Sequence, residues 1–414
     1  MSNLHHRRST CRLCGGHKLT SVLALTPTPP ANAFVDEDHL SQKQACFDLE
    51  LFFCSDCAHV QLLDVVDPRV LFEHYVYVSG TSPVFVRHFQ NYADSVIQRY
   101  APKPGSLVVD IGSNDGTLLR CFQTMGHQVL GIDPAIEIAQ NASKNGIETK
   151  AAFFTPNLAQ ELLTGYGQAS VVTANNVFAH ADGLAEIVKG IHTLLDRDGV
   201  FVFEVSYLLD VVEKCLFDTI YHEHLAYHSV KPLQAFFANH NMQLIDVERV
   251  DSHGGSLRGY VQRDDGTREV SANVAKAIAV EERAGLDRAE TYHAFAAQID
   301  QLKCDLNDLL QSIKAQNKSI AGFGAPAKAT TLMYHFGIGP ETIDYIIDDS
   351  PLKQNLYSPG MHIPVVPSVA LNTQPPDYLL ILAWNFAEPI MSNHKNFTSS
   401  GGHFIVPLPE IKVY

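Results

Sequence analysis

The stretch Val108-Val109-Asp110-Ile111-Gly112-Ser113-Asn114-Asp115-Gly116-Thr117 decides the fold of this chain. Branched apolar residues run into two glycines set among small polar ones, the pattern of a buried strand that breaks into a tight turn and opens a helix. Glycines at such a turn let the backbone approach a ligand, and the free N–H groups at the helix start favour a carboxylate or phosphate. Twenty-three residues beyond Asp110 a second strand ends at Gly131-Ile132-Asp133, where a carboxylate can accept hydrogen bonds from ribose hydroxyls. The third small position of a nicotinamide-type G-x-G-x-x-G run is missing. Similar short apolar runs ended by Gly, Asn or Asp occur at ASVVTANNV and GVFVFEV. A doubly wound parallel α/β sheet is therefore expected over residues 76–245.

Outward from this unit the texture changes on both sides. Residues 1–75 hold Cys11-x-x-Cys14 and Cys54-x-x-Cys57, which can supply four thiolates to a tetrahedral zinc. The 39 residues between the pairs exceed ordinary zinc-ribbon spacing, so the chain between them must fold back, with Cys46 and His59 as spare ligands. Two unrelated reduced pairs, or a redox pair, are the alternatives. Four thiolates leave no position for water, which makes such a metal structural. Residues 246–414 open with the alternating LRGYVQRDDG and pass through a long charged segment from Ser271 to Gln316 with helical periodicity. A strand-and-helix rhythm then returns at SIAGFGA, TIDYIIDD, DYLLILAW and GHFIVPLP. A second, smaller Rossmann-like α/β domain is expected there.

A chain of 414 residues has room for two or three cores. The formal charge of −15 repels phosphate backbones, which argues against a nucleic-acid partner while leaving room for a local basic pocket. No apolar run reaches the roughly 18–20 residues of a membrane helix, and MSNLHHRRSTC lacks the apolar stretch of a signal peptide. A cytoplasmic protein with no membrane partner, acting as a monomer, is expected. Its eight cysteines then suggest metal binding before disulfides.

Loops after the carboxyl ends of strands face the ligand crevice of an open α/β sheet. Two polar clusters are expected on that edge: Asn175-Asn176-Val177-Phe178-Ala179-His180, and Asp218-Thr219-Ile220-Tyr221-His222-Glu223-His224-Leu225. The second is a candidate acid–base cluster, with a polar surface patch as the alternative; its His-Glu-His lacks the i, i+4 spacing of a helical zinc-protease site. His180 reads equally as a packing histidine. His253-Gly254-Gly255-Ser256 with Arg258, and the turn from Gly322 to Lys328 with Pro326 near its helix start, can each hold a diphosphate. The latter could equally be a turn that binds nothing. Tyr75, Tyr77 and Ser79 to Ser82 either close over a cofactor or pack in a core.

Asp-Ile-Gly-Ser-Asn-Asp-Gly resembles the glycine loop of class I S-adenosylmethionine-dependent methyltransferases, with Asp110 shaping the loop and Asp133 on the ribose. Longer motifs resemble the nucleotide-sugar C-methyltransferases that make branched deoxysugars. They are Glu204-Val205-Ser206-Tyr207-Leu208-Leu209-Asp210 leading to Phe217 through His224, then His253 through Arg258, Gly322 through Lys328, Tyr75 through Ser82, and Asp348 through Gln354. With the cysteine pairs, the resemblance spans almost the whole chain.

The resemblance implies S-adenosylmethionine and structural zinc as cofactors. It also implies methylation at C3 of a nucleoside-diphosphate (dTDP-, GDP- or CDP-linked) 4-keto-6-deoxysugar. The ketone acidifies the C3 proton, a base removes it, and the carbanion takes the methyl group; histidine supplies a base of near-neutral pKa. His224 is the leading base, and Glu223 orients an imidazole or is itself the base. Tyr221, His222, Asn176 and His180 hydrogen-bond the keto oxygen or the C3 substituent. Expected around the methyl donor are Asp110, Gly112, Ser113, Asn114, Gly116, Thr117, Asp133 and Asn175, with Tyr75, Tyr77, Ser79 and Thr81. The acceptor set is His253, Gly254, Ser256, Arg258, Gly324, Lys328, Asp349 and Lys353. An O- or N-methyltransferase on another small metabolite, and a non-catalytic zinc- and dinucleotide-binding module, are the competing readings.

Overall fold

The computed structural model describes residues 4–72, 80, 83–252 and 254–414. A seven-stranded sheet occupies the centre, in the order Met242–Val250, Ser256–Arg263, Leu195–Ser206, Ala169–Asn175, Leu107–Ile111, Gln128–Asp133, Thr149–Ala151. The last five are parallel, and Ser256–Arg263 runs antiparallel to both its neighbours. Alternate side chains leave a strand on opposite faces. Val108, Val171 and Val202 accordingly join Tyr92, Val96 and Phe122 in one core, while Val109, Val172 and Phe201 join Leu162, Val188 and Ile191 in another. Two helix-covered faces are what continuous apolar strands require, each enclosed Val or Phe contributing about 1.5–3 kcal/mol.

LRGYVQRDDG does form a strand and turn, but its strand sits inside this central sheet. The sheet thus continues to Arg263, past the expected division at 245/246. Two helices follow, Ala272–Arg283 and Ala289–Ala315, filling the charged segment. A six-stranded sheet then carries Ile320–Phe323, Ile346–Ile347, Tyr378–Ile381 and His403–Val406 in parallel, the four runs expected from sequence, with short strands at either edge.

The N-terminal region is a four-stranded antiparallel sheet of Leu19–Thr28, Phe47–Cys54, Val60–Leu62 and Ala226–Tyr227. Its last strand comes from the central unit, directly after the segment Tyr221 to His224, and closes an edge that would otherwise expose unpaired amides. The Ala327–Phe336 helix of the C-terminal unit also reaches that segment, where Thr331 Oγ1 donates to Ile220 O at 2.8 Å. All three units therefore converge on it. No described helix is long and apolar enough to cross a membrane.

Candidate active site

Between Leu107–Ile111 and Ala169–Asn175 the strand order reverses, and the carboxyl ends there open into a cavity of about 710 Å³, within the range of small-molecule sites. Gly112 sits at φ 72°, and a Cβ there would lie 2.2 Å from Val177 Cγ2, so both backbone and space demand glycine. Its N–H donates to Ile132 O at 2.7 Å, and Asn114 N–H donates to Asp133 Oδ2 at 2.8 Å. The second oxygen of Asp133 accepts from Ala135 N–H at 2.8 Å, so the loop is moulded around that carboxylate. Asp110 accepts from Thr173 Oγ1 at 2.6 Å, and burial pushes its carboxyl up to about 7. Burial also raises Asp133.

Ser113, Asn114, Thr117 and Asn175 line the same cavity, whereas Gly116 heads the following helix at φ 78°. Sequence reasoning missed the apolar wall beyond Asp133, formed by Phe153, Phe154 and Pro156. Ser113 Oγ, both amide atoms of Asn175 and His180 Nε2 are buried with no hydrogen-bond partner among the described residues. Each such atom costs about 1–3 kcal/mol unless something fills the space, so this wall is shaped for a polar ligand. With Asp115 and Asp133 on this wall, Asp110 beside them and no described Lys or Arg next to the three, it fits a cationic nucleoside such as S-adenosylmethionine.

Tyr221 and His224 border the cavity from the other side. His224 Nδ1 lies 2.7 Å from Thr219 O, and a carbonyl only accepts, so Nδ1 carries the proton. That leaves the lone pair on Nε2, to which the Tyr221 hydroxyl donates at 3.0 Å. The His180 ring lies 4.9 Å from that of His224 and stacks on Phe72. Burial, and then repulsion from His224 when that ring is protonated, hold the His180 pKa well below its usual value, so it is neutral at physiological pH. Asn176 also lines the cavity, its N–H donating to Glu204 O at 2.7 Å.

Two expected members of this cluster stand elsewhere. His222 is buried away from the cavity, edge-on to Phe47 with Nε2 donating to Phe47 O at 3.2 Å. It packs the loop onto the N-terminal sheet and is withdrawn from the acid–base set. Glu223 is also buried behind the lining, where its Oε1 accepts from Asn32 Nδ2 at 2.8 Å. Asn32 itself lines the cavity, a site residue contributed by the N-terminal unit that no local motif announces.

The third wall comes from the C-terminal unit. Gly324 (φ 86°) makes the turn that aims Ala327, Lys328 and their helix at the cavity, and a Cβ on it would meet Ala383 Cβ at 2.4 Å. The Lys328 ammonium lies 3.6 Å from the centre of the Trp384 ring, whose Nε1 donates to Asp218 Oδ2 at 2.6 Å. Burial lowers Lys328 to about 8, against the pull of Asp218. Lys353 Nζ donates to Ala325 O at 2.8 Å, and burial lowers its pKa as well.

Four other residues expected on the acceptor do not reach the cavity. Arg258 points into the helix-covered face of the central sheet, bound to Glu204 Oε2 at 2.8 Å and over the Tyr92 ring. Ser256 is buried beside Ser252 in the same strand edge. Gly254 packs on Leu216 and Trp384. Asp349 is exposed and paired with Ser368. In each case strand alternation or turn direction, invisible in the motif itself, places the residue away from the cavity. His253, Tyr75, Tyr77, Ser79 and Thr81 lie outside the described residues.

The four cysteines converge. Cys11 Sγ lies 3.6 Å from Cys57 Sγ and Cys14 Sγ 3.7 Å from Cys54 Sγ, all four within 4.8 Å of one another. A tetrahedron with Zn–S bonds of about 2.3 Å has edges of about 3.8 Å, so the sulfurs already stand where zinc would hold them and too far apart for disulfides.

Comparison with known proteins places these features in a class. A family model described as a methyltransferase domain matches residues 85–247, a zinc binding domain model matches 11–72, and a C-methyltransferase C-terminal domain model matches 251–409. The C-methyltransferase NovU of Streptomyces niveus is 35% identical over 97% of this chain and 96% of its own. A ubiquinone biosynthesis O-methyltransferase of Burkholderia pseudomallei (strain 1710b) is 28% identical over 41% of this chain and 78% of its own. The magnesium protoporphyrin IX methyltransferase ChlM of Synechocystis PCC 6803, solved with bound SAM, is 16% identical over 44% of this chain and 81% of that one, with a TM-score of 0.33. The fold and site define a zinc-binding, S-adenosylmethionine-dependent class I methyltransferase. Within that class, the chain belongs to the C-methyltransferase family that includes NovU.

Proposed function

We propose that this enzyme methylates C3 of a nucleoside-diphosphate 4-keto-6-deoxysugar through an enolate. The observation that carries the reading is the lone pair of His224 Nε2, held by Thr219 O and Tyr221 at the cavity that also contains the Gly112 loop and two lysines. The acidic wall around Asp110 and Asp133 suits the cationic nucleoside, and the wall of Lys328 and Lys353 suits a diphosphate. When bound, S-adenosylmethionine supplies an electrophilic methyl group for the C3 carbon. His224 Nε2 takes the C3 proton, and the C–H electron pair moves onto the C4 oxygen. The Tyr221 hydroxyl, released from Nε2 as the imidazolium forms, can turn to that oxygen. Neutral His180 offers the oxygen a second donor and leaves the positive charge on His224 unopposed. Zinc holds the N-terminal fold and takes no part in proton transfer.

Incubation with a dTDP-linked 4-keto-6-deoxyhexose in deuterated water, with S-adenosylhomocysteine present, tests the reading. Deuterium should enter at C3 without net turnover. No exchange at C3, or enzyme-dependent exchange at another carbon instead, would contradict it. An O- or N-methyltransferase needs no acidic C–H and would show no exchange.

A further inference from the structure

Arg12 occupies the first position between the two cysteines of the Cys11-x-x-Cys14 knuckle, yet its buried guanidinium points away from the sulfurs. Nη1 donates to Leu225 O at 2.9 Å, to Leu62 O at 3.0 Å and to Gln61 Oε1 at 3.0 Å. Nε and Nη2 donate to Asp182 Oδ1 at 3.3 and 3.1 Å. Leu225 directly follows His224, and Asp182 stands two residues after His180, with both lining the cavity. One side chain therefore grips the loop on each side of the imidazole pair.

The backbone reinforces the grip. Leu225 N–H and Ala226 N–H both donate to Ala179 O, at 2.9 and 3.1 Å, so the two loops are bonded to each other. Leu62 N–H donates to Leu225 O at 3.0 Å, and Ala226–Tyr227 pairs with Val60–Leu62 in the N-terminal sheet. That sheet reaches the second knuckle through Cys54, whose N–H donates to His59 O at 2.9 Å. A chain of donors and strands thus runs from both cysteine pairs to the carbonyl beside His224.

We infer that Arg12 is a positioning residue that locks the Tyr221–Leu225 and His180–Asp182 loops to the zinc knuckle, so that the metal site sets the geometry of proton abstraction as well as the local fold. The inference rests on the proposed base role of His224. A guanidinium suits the task because its planar fork reaches three carbonyl-type oxygens and one carboxylate at once, which an ammonium on a flexible stem cannot. Displacing a reacting group by about 1 Å can cost on the order of 100-fold in rate, so loss of the clamp should be read in kcat.

The test compares Arg12→Met, which keeps bulk and removes every donor, with Arg12→Lys. Zinc per chain by elemental analysis and S-adenosylhomocysteine affinity by calorimetry report the fold. Expected are one zinc and an unchanged affinity in Arg12→Met, kcat down by at least about tenfold with a nearly constant sugar KM, and partial recovery in Arg12→Lys. Hydrogen–deuterium exchange at 217–228 should rise in Arg12→Met and in chelator-stripped wild type, with the 107–117 loop unchanged. That exchange needs no sugar, so an error in the acceptor assignment leaves it standing. Loss of zinc or of cofactor affinity in Arg12→Met, or a 217–228 segment as protected as wild type, would overturn the inference.

Discussion

Two turns in this molecule have nearly the same backbone and opposite electrostatics. In the central sheet Gly112 sits at φ 72° with its N–H on Ile132 O, and Asn114 N–H binds Asp133. In the C-terminal sheet Gly324 sits at φ 86° with its N–H on Ile347 O, and Ala325 N–H binds Asp348 Oδ2 at 2.7 Å. Each turn follows the first strand of its sheet unit and clasps the carboxylate at the end of the next parallel strand. Around the first, the cavity side chains are acidic; around the second they are Lys328 and Lys353. The shared geometry brings a backbone close to a ligand, and the charges beside it select which ligand. On the proposed reading the first turn holds the sulfonium nucleoside and the second a diphosphate, with His224 lining the same cavity.

The largest effect lies at that seam. His224→Asn should slow methyl transfer by about 100- to 10,000-fold while calorimetry finds S-adenosylhomocysteine binding within about twofold of wild type. Retention of full rate would remove His224 from the base role. Next, the two glycines should separate cleanly. Gly112→Ala forces a Cβ onto Val177 and should weaken cofactor binding by at least about tenfold, whereas Gly324→Ala should leave that affinity alone and raise the sugar KM. The same outcome for both would mean that the turns do not divide the ligands.

A third, smaller effect sharpens the contrast in charge. Lys328→Met should raise the nucleotide-sugar KM by about tenfold without touching cofactor affinity. The ammonium binds an anion only when protonated and burial lowers it to about 8, so the wild-type KM should stay flat below that pH and climb above it. In Lys328→Met this climb should vanish.

The smallest effect tests the acidic turn. The folded state raises Asp110 from an ordinary 3.8 to about 7, so the neutral acid favours the fold. The stability it adds is complete below the ordinary value and lost as pH rises through 7. Asp110→Asn should therefore melt about 3 °C above wild type at pH 8 and close to it at pH 4, by calorimetry of the ligand-free protein.

What could be read from the residues alone follows from range. The Gly112 loop, the two cysteine knuckles and the four C-terminal strands are local patterns, in which spacing and alternation already define geometry. The Tyr221 and His224 placement was legible because loops after parallel strands meet at one edge. His222 and Arg258 misled because a polar residue beside a motif can face the opposite side of its loop or strand, and both do. Asn32, Arg12 and the Trp384–Asp218 pair left no local trace. They reach the site through contacts between residues far apart in the chain, 191 positions from Asn32 to Glu223 and 213 from Arg12 to Leu225. The edge strand Ala226–Tyr227 hides for the same reason, since two residues carry no periodicity.

The central claim is that the new bond is carbon to carbon, made at the position the ketone acidifies. Turnover of a dTDP-linked 4-keto-6-deoxyhexose with 13C-methyl S-adenosylmethionine, followed by carbon–carbon coupling in the product NMR spectrum, addresses it directly. One-bond coupling of the labelled methyl to sugar C3 is the predicted result; a methyl group attached to oxygen or nitrogen would contradict it.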